Sequence, residues 1–248
     1  MNLKKINYNF YENGFVIIRN LVDKKKVSKI LDETIKIKKK ILSKSKQHFH
    51  LTKDGKFNTI HDINKYVKKG ELINLSKDKK ILKIVKNILK ESPKIRNIEF
   101  FFKPKKTGMP SPYHQDNFYW NINNAKALNV WIACSKSSFK NGGISYLVGS
   151  QKLGTIKHEI SFSKGSSQKI PEFILKNLKF KKFFPKLAIG DCIIHHPEVI
   201  HGSNKNTSNS DRIGLVFSYK SKSASINKAK IIEYKKSLKK NLTTIYNK

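Results

Sequence analysis

Two short segments carry side chains of the type and spacing that bind a metal ion. Tyr113-His114-Gln115-Asp116 is one, and a later group of histidines, His195, His196 and His201, is the other. On extended backbone successive side chains alternate in direction, so His114 and Asp116 face the same way. Two imidazoles and one carboxylate form the facial donor set of non-heme Fe(II) oxygenases, which leaves three positions for a bidentate cosubstrate and O2. Of the later histidines His201 is favoured, because Gly202-Ser203 follow it and Arg212 comes just before the β-rich run Ile213 to Tyr219. A buried arginine there can hold a dicarboxylic acid through a bidentate, charge-assisted pair, and the Ser203 hydroxyl is near enough in sequence to donate to the same carboxylate. Arg212 is one of three arginines in a chain with 52 Lys+Arg, which suggests a need for the planar fork. His195 and His196 are left as strand or rim residues.

The elements that must position these groups follow from hydrophobic spacing. Asp23 to Leu42 has helical periodicity through Val27, Ile30, Leu31, Ile35, Ile41 and Leu42, with Asp23 placed as N-cap. A second helix is expected from Ser76, with Ile81, Leu82, Val85, Ile88 and Leu89 on one stripe and Ser92-Pro93 ending it. Short β-rich runs follow at 95–103, 128–134, 144–148, 192–195 and 213–219, separated by Gly, Pro, Asn and Ser. This order predicts an α+β chain whose core is mainly β, a sandwich or jelly roll with flanking N-terminal helices. One domain is expected over 1–248: a helix-rich part (1–94), a jelly-roll core (95–220) and a Lys-rich extension (221–248) that forms a peripheral helix or a frayed end.

With 248 residues, 38% of them hydrophobic and 10% aromatic, the chain can bury a full core, which argues against wholesale disorder. Cys134 and Cys192 form no CxxC pair and read as small buried hydrophobes in a reducing compartment. No apolar run approaches the roughly 20 residues that span a bilayer, so no membrane partner is expected and the protein is placed in the cytoplasm. The net charge of +35 comes from lysines dispersed over the whole chain, which reads as compositional bias. No nucleic-acid partner is therefore expected, although the field attracts small anions.

At these residues the chain resembles the phytanoyl-CoA dioxygenase family of Fe(II)/2-oxoglutarate-dependent oxygenases, nearly end to end. Phe10-Tyr11-Glu12-Asn13-Gly14-Phe15-Val16-Ile17 resembles the family's F-x-x-x-G-F opening, and Lys103-Pro104 with His114-Gln115-Asp116 resembles its KP and HQD segments. Val130-Trp131-Ile132-Ala133, Asn141-Gly142-Gly143-Ile144 and Val148-Gly149-Ser150 resemble further signposts in the family's order. Val148 and Gln151 depart from the usual Pro and His, so no role of that His carries over. Gly190-Asp191, His201-Gly202-Ser203 and Arg212 resemble the closing set.

The resemblance implies a double-stranded β-helix, or cupin-like jelly roll, in which His114, Asp116 and His201 ligate Fe(II). It implies that Arg212 and Ser203 bind 2-oxoglutarate, with Trp131 in its pocket. The implied activity is hydroxylation of an unactivated C–H bond of a small metabolite by O2, with release of succinate and CO2; the positive field favours an anionic substrate. Tyr119 and Trp120 are candidates to line the substrate pocket, and His61 lies in a region that approaches the active site in relatives. Two alternatives stand beside this: a 2-oxoglutarate oxygenase acting on nucleic acid, and a non-catalytic cupin-like binding module.

Overall fold

In the computed structural model, which describes residues 1–43, 48–163 and 166–246, every residue of the strand Ala127–Ala133 is buried. Such a strand loses the polar alternation of a half-exposed one because both of its faces are covered. Leu128, Val130 and Ile132 enter a core shared with the N-terminal helices, whereas Trp131 and Ala133 enter a second core on the opposite face.

The strands are β1 (Phe15–Ile18), β2 (Phe49–Leu51), β3 (Phe57–Ile60), β4 (Pro93–Lys103), β5 (Ser111–His114), β6 (Ala127–Ala133), β7 (Ile144–Leu147), β8 (Glu159–Ser163), β9 (Ser166–Lys169), β10 (Lys182–Phe183), β11 (Cys192–His195), β12 (His201–Ser203) and β13 (Arg212–Ser221). The helices are α1 (Leu3–Asn13), α2 (Lys24–Leu42), α3 (Ile63–Tyr66), α4 (Glu71–Ser76), α5 (Lys79–Leu89), α6 (Asp116–Trp120), α7 (Glu172–Asn177) and α8 (Lys228–Tyr246). A seven-stranded antiparallel sheet runs β1-β11-β6-β13-β4-β3-β2, and a four-stranded antiparallel sheet runs β10-β7-β12-β5. Trp131 and Val216 of the larger sheet meet Tyr146 and Ile144 of the smaller one, and α1, α2 and α5 cover the larger sheet's other face. This is the expected double-stranded β-helix with N-terminal helices outside.

The helices hold their places through packing more than through propensity. Ile30, Ile84, Val85 and Ile88 are at most 1% exposed, and each such side chain contributes roughly 1.5–3 kcal/mol by leaving water. Asp23 caps α2 as expected, accepting from the Lys25 amide at 2.7 Å. The second helix differs from expectation. Ser76 ends α4, its hydroxyl donating to Ile73 O at 2.7 Å, and α5 starts afresh because the Asp78 carboxylate accepts from the Lys80 amide at 2.9 Å. It closes at Lys90, in the left-handed region at φ 56°, before Ser92-Pro93 is reached; Pro93 opens β4 instead. Within the Lys-rich extension α8 packs on β8, β9 and α6. Its last two residues, 247–248, lie outside the described residues. Among the described residues no helix is long and apolar enough to cross a membrane.

Candidate metal centre

The smaller sheet brings the two sequence segments together. In its register His201 on β12 is the partner of His114 on β5, and their ring centroids lie 4.4 Å apart. His114 Nδ1 donates to Pro112 O at 2.8 Å and His201 Nδ1 to Val199 O at 3.0 Å. A carbonyl only accepts, so both rings carry the proton on Nδ1 and present a bare Nε2. Burial pushes the His201 imidazole down to about 3, which keeps it neutral and ready to ligate.

Asp116 reaches the same place by a different route from the one expected. The strand stops at His114, Gln115 remains extended at φ −123° and ψ 132°, and Asp116 begins α6. The single extended residue keeps His114 and Asp116 on one side. Gln115 is fully buried and fastened away from them: its Nε2 donates to Gly154 O at 2.7 Å and Glu198 O at 2.6 Å, and its Oε1 accepts from the Ile156 amide at 2.8 Å. The candidate ligand atoms of His114, Asp116 and His201 all lie within 4.8 Å of one another. Burial opposes charge on Asp116, but the net direction of its pKa is well below the ordinary range, and Asn129 Nδ2 at 2.7 Å and His195 Nε2 at 3.2 Å meet its Oδ2. Two neutral nitrogens and one anionic oxygen around one point suit a divalent transition metal.

These residues share a cavity with Trp131, Ser203 and Arg212. Arg212 is 2% exposed; its Nε and Nη2 donate to Gly142 O at 3.1 and 2.7 Å, and its guanidinium lies 5.7 Å from the Trp131 ring. Among the described residues Nη1 has no acceptor, which leaves a buried cationic donor at the cavity wall, suited to a carboxylate. Lys103, the lysine of the KP segment, is 3% exposed and donates to Asn204 O at 2.6 Å, bracing the chain that leaves β12.

The remaining candidates fall differently. Tyr119 sets its ring edge-on to His114 at 5.7 Å and donates to Gln168 O at 3.0 Å. Trp120 packs with Ile122 and Ala127, away from the cavity walls. His61 stands one residue behind the wall: its Nδ1 lies 2.6 Å from Glu99 Oε1, and Glu99 lines the cavity. His195 is a strand residue as expected but no rim residue. It is 2% exposed, and its Nε2 lies 3.2 Å from Asp116 Oδ2 while its Nδ1 accepts from the Tyr146 hydroxyl at 3.0 Å. His196 packs against Phe10.

Sequence reasoning missed Asn129 and Glu99 altogether. Asn129 Nδ2 donates to Asp116 Oδ2 at 2.7 Å. Each interrupts an apolar strand, Asn129 within Ala127–Ala133 and Glu99 within Ile98–Phe102, and a polar residue in a doubly buried run is the signal that marks them.

Comparison with known proteins bears on the family and the fold. The sequence profile described as phytanoyl-CoA dioxygenase matches residues 10–214. A protein of Stutzerimonas stutzeri named as a probable alpha-ketoglutarate-dependent hypophosphite dioxygenase is 24% identical over 228 residues, covering 85% of this chain and 76% of its own. Among solved structures, EctD from S. alaskensis with bound Fe superposes with a TM-score of 0.74 at 15% identity, covering 92% of this chain and 79% of its own. The epimerase SnoN in complex with Fe3+, alpha ketoglutarate and nogalamycin RO superposes with a TM-score of 0.71 at 17% identity, covering 91% and 86%. At those identities the structural likeness speaks for the fold.

Proposed function

The chain belongs to the phytanoyl-CoA dioxygenase family and is a 2-oxoglutarate-dependent non-heme iron dioxygenase, and from that premise we propose how its residues divide the work. His114, Asp116 and His201 ligate Fe(II), and Arg212, Ser203 and Trp131 seat 2-oxoglutarate. The reaction is hydroxylation of an unactivated C–H bond of a small anionic metabolite, with release of succinate and CO2. The observation that carries this reading is the convergence of two Nδ1-protonated imidazoles and one ionised carboxylate in a single cavity with the buried guanidinium of Arg212.

Bound iron and 2-oxoglutarate supply the oxidising power, with O2 as oxidant. The chain's own side chains bind and orient. Pro112 O and Val199 O fix the imidazole tautomers, and Asn129 and His195 hold one oxygen of Asp116. Arg212 offers its free N–H donors to the distal carboxylate, and the Ser203 hydroxyl adds a further donor. Trp131, Phe101 and Val216 give the cavity apolar walls that keep water out. Residues 1–248 act as one catalytic domain, since the helices of 1–94 cover the sheet that carries Asn129 and α8 covers α6. The buried free thiols of Cys134 and Cys192 fit a cytoplasmic enzyme.

The test is anaerobic mixing of the apoprotein with Fe(II) and 2-oxoglutarate, read by the visible metal-to-ligand charge-transfer band. The band is expected in the wild type and is expected to be lost in His201→Ala and weakened in Arg212→Ala. A wild type without the band overturns the assignment and favours a binding module. The relative named for hypophosphite makes small phosphorus oxyanions the first substrates to screen, followed by carboxylates.

A further inference from the structure

The chain has three arginines, and two of them are accounted for. Arg19 pairs with Asp191 at 2.7 Å, and Arg212 is bound to Gly142 O beside the cosubstrate site. Arg96 is different. It is partly buried, and among the described residues it makes no hydrogen bond and no ion pair; its guanidinium instead lies over Trp120, whose ring centre is 4.7 Å from the guanidinium carbon.

The backbone directs it there. On β4, Ile98, Phe100 and Phe102 belong to the helix-side core, while Glu99 and Phe101 wall the cavity. The register with β13 slips between Ser218, which partners Asn97, and Tyr219, which partners Ile95, so that Arg96 is an extra residue in the strand. A bulge of this kind re-aims a side chain. Here it lays Arg96 over Trp120, the last residue of the helix that begins with Asp116.

Three carboxylates lie near enough to act on the Arg96 charge: Glu99, Asp62 and Asp116. Each is already engaged. Glu99 meets His61 at 2.6 Å, Asp62 meets Lys65 at 2.6 Å, and Asp116 accepts from Asn129 at 2.7 Å. The planar fork of a guanidinium, mostly removed from water, over an indole and, among the described residues, without an acceptor, is suited to bidentate capture of an anion. The chain's two tryptophans thus each carry an arginine: Trp131 under Arg212 and Trp120 under Arg96.

We propose that Arg96, seated on Trp120, is the anchor for an anionic group of the prime substrate, a carboxylate or a phosphorus oxyanion, that extends past the cavity walls: Arg96 is three residues along β4 from Glu99, and Trp120 is four residues along α6 from Asp116. The proposal rests on the assignment of the cavity given above and names the residue that selects an anionic substrate.

The experiment titrates methylphosphonate into the anaerobic enzyme loaded with Fe(II) and 2-oxoglutarate, in about 0.3 M KCl so that surface lysines are screened. Tryptophan fluorescence, recorded also in Trp120→Phe so that the share of Trp131 is subtracted, reports on Trp120, and the charge-transfer band reports separately on the metal and cosubstrate. The wild type is expected to respond saturably. Arg96→Gln is expected to bind the probe at least about tenfold more weakly, Arg96→Lys to fall between because it keeps charge and loses the fork, and both to keep the band and the 2-oxoglutarate affinity. The retained band also shows that each variant is folded. Equal affinity in Arg96→Gln and wild type, or no saturable response in the wild type while its band is intact, overturns the anchor. A wild type that gives no band fails the cavity assignment first and takes the anchor with it.

Discussion

His195 and Asp116, on strand β11 and helix α6, meet with Nε2 3.2 Å from Oδ2, and the same oxygen accepts from Asn129 at 2.7 Å. A ligand carboxylate held on one oxygen by two donors offers the other in a fixed direction, and the loss of such support commonly lowers metal affinity by about 10–100-fold. His195→Ala and Asn129→Ala are therefore expected to weaken Mn(II) or Fe(II) binding within that range, measured by anaerobic titration. Unchanged affinity in both would show that the iron alone orients Asp116.

Metal and fold are coupled through the strand pair β5–β12, since His114 and His201 come from partnered positions. A divalent metal that binds only the folded state stabilises by about 2.7 kcal/mol at a hundredfold excess over its Kd. Mn(II) is expected to raise the melting temperature of the wild type and to leave that of His201→Ala unmoved. An equal rise in the variant would place the metal elsewhere.

Gly214 lies on β13 against the indole of Trp131, and a Cβ there would fall 2.7 Å from its Nε1. A ring packed in a closed core has little room to retreat, so Gly214→Ala is expected to cost about 1–3 kcal/mol in denaturant unfolding. Because Trp131 underlies Arg212, the variant should also bind 2-oxoglutarate more weakly. A stable variant with normal cosubstrate affinity would show that the indole shifts freely.

Asp191 supplies the acid sensitivity of the β11 corner. Burial raises its pKa, but the amides of Asn20 and Ala188 and the Arg19 guanidinium outweigh that, and the net direction is down. A carboxyl depressed on folding adds stability that is present above its unfolded pKa, about 3.9, and is lost as pH falls through the lower folded value. Asp191→Asn is expected to reduce stability at pH 7 and to flatten the fall in stability below about pH 4. Parallel curves for wild type and variant in acid would contradict it.

Much of this protein was legible before any fold was drawn. The ligand types and their order, the Asp23 cap, and the strands around Trp131 and after Arg212 all come from local rules: side-chain chemistry, period, and hydrogen bonds within a few residues. The restart of the helix at Asp78 was missed because Ser76 and Asp78 both satisfy the cap pattern, and only the packing of Leu72, Leu75 and Ile81 decides between them. Trp120 followed the metal motif closely enough to suggest a pocket wall, yet α6 turns it towards Ile122 and Ala127.

The sequence by itself determined which groups are available and which way neighbours along one strand point, because those relations are set by bonds a few residues long. Only the tertiary structure decided which histidine faces His114, that His195 and Asn129 grip Asp116, and that a bulge lays Arg96 on Trp120. Those relations depend on cross-strand register and on the crossing of two sheets, where a shift of one residue turns every side chain to the opposite face.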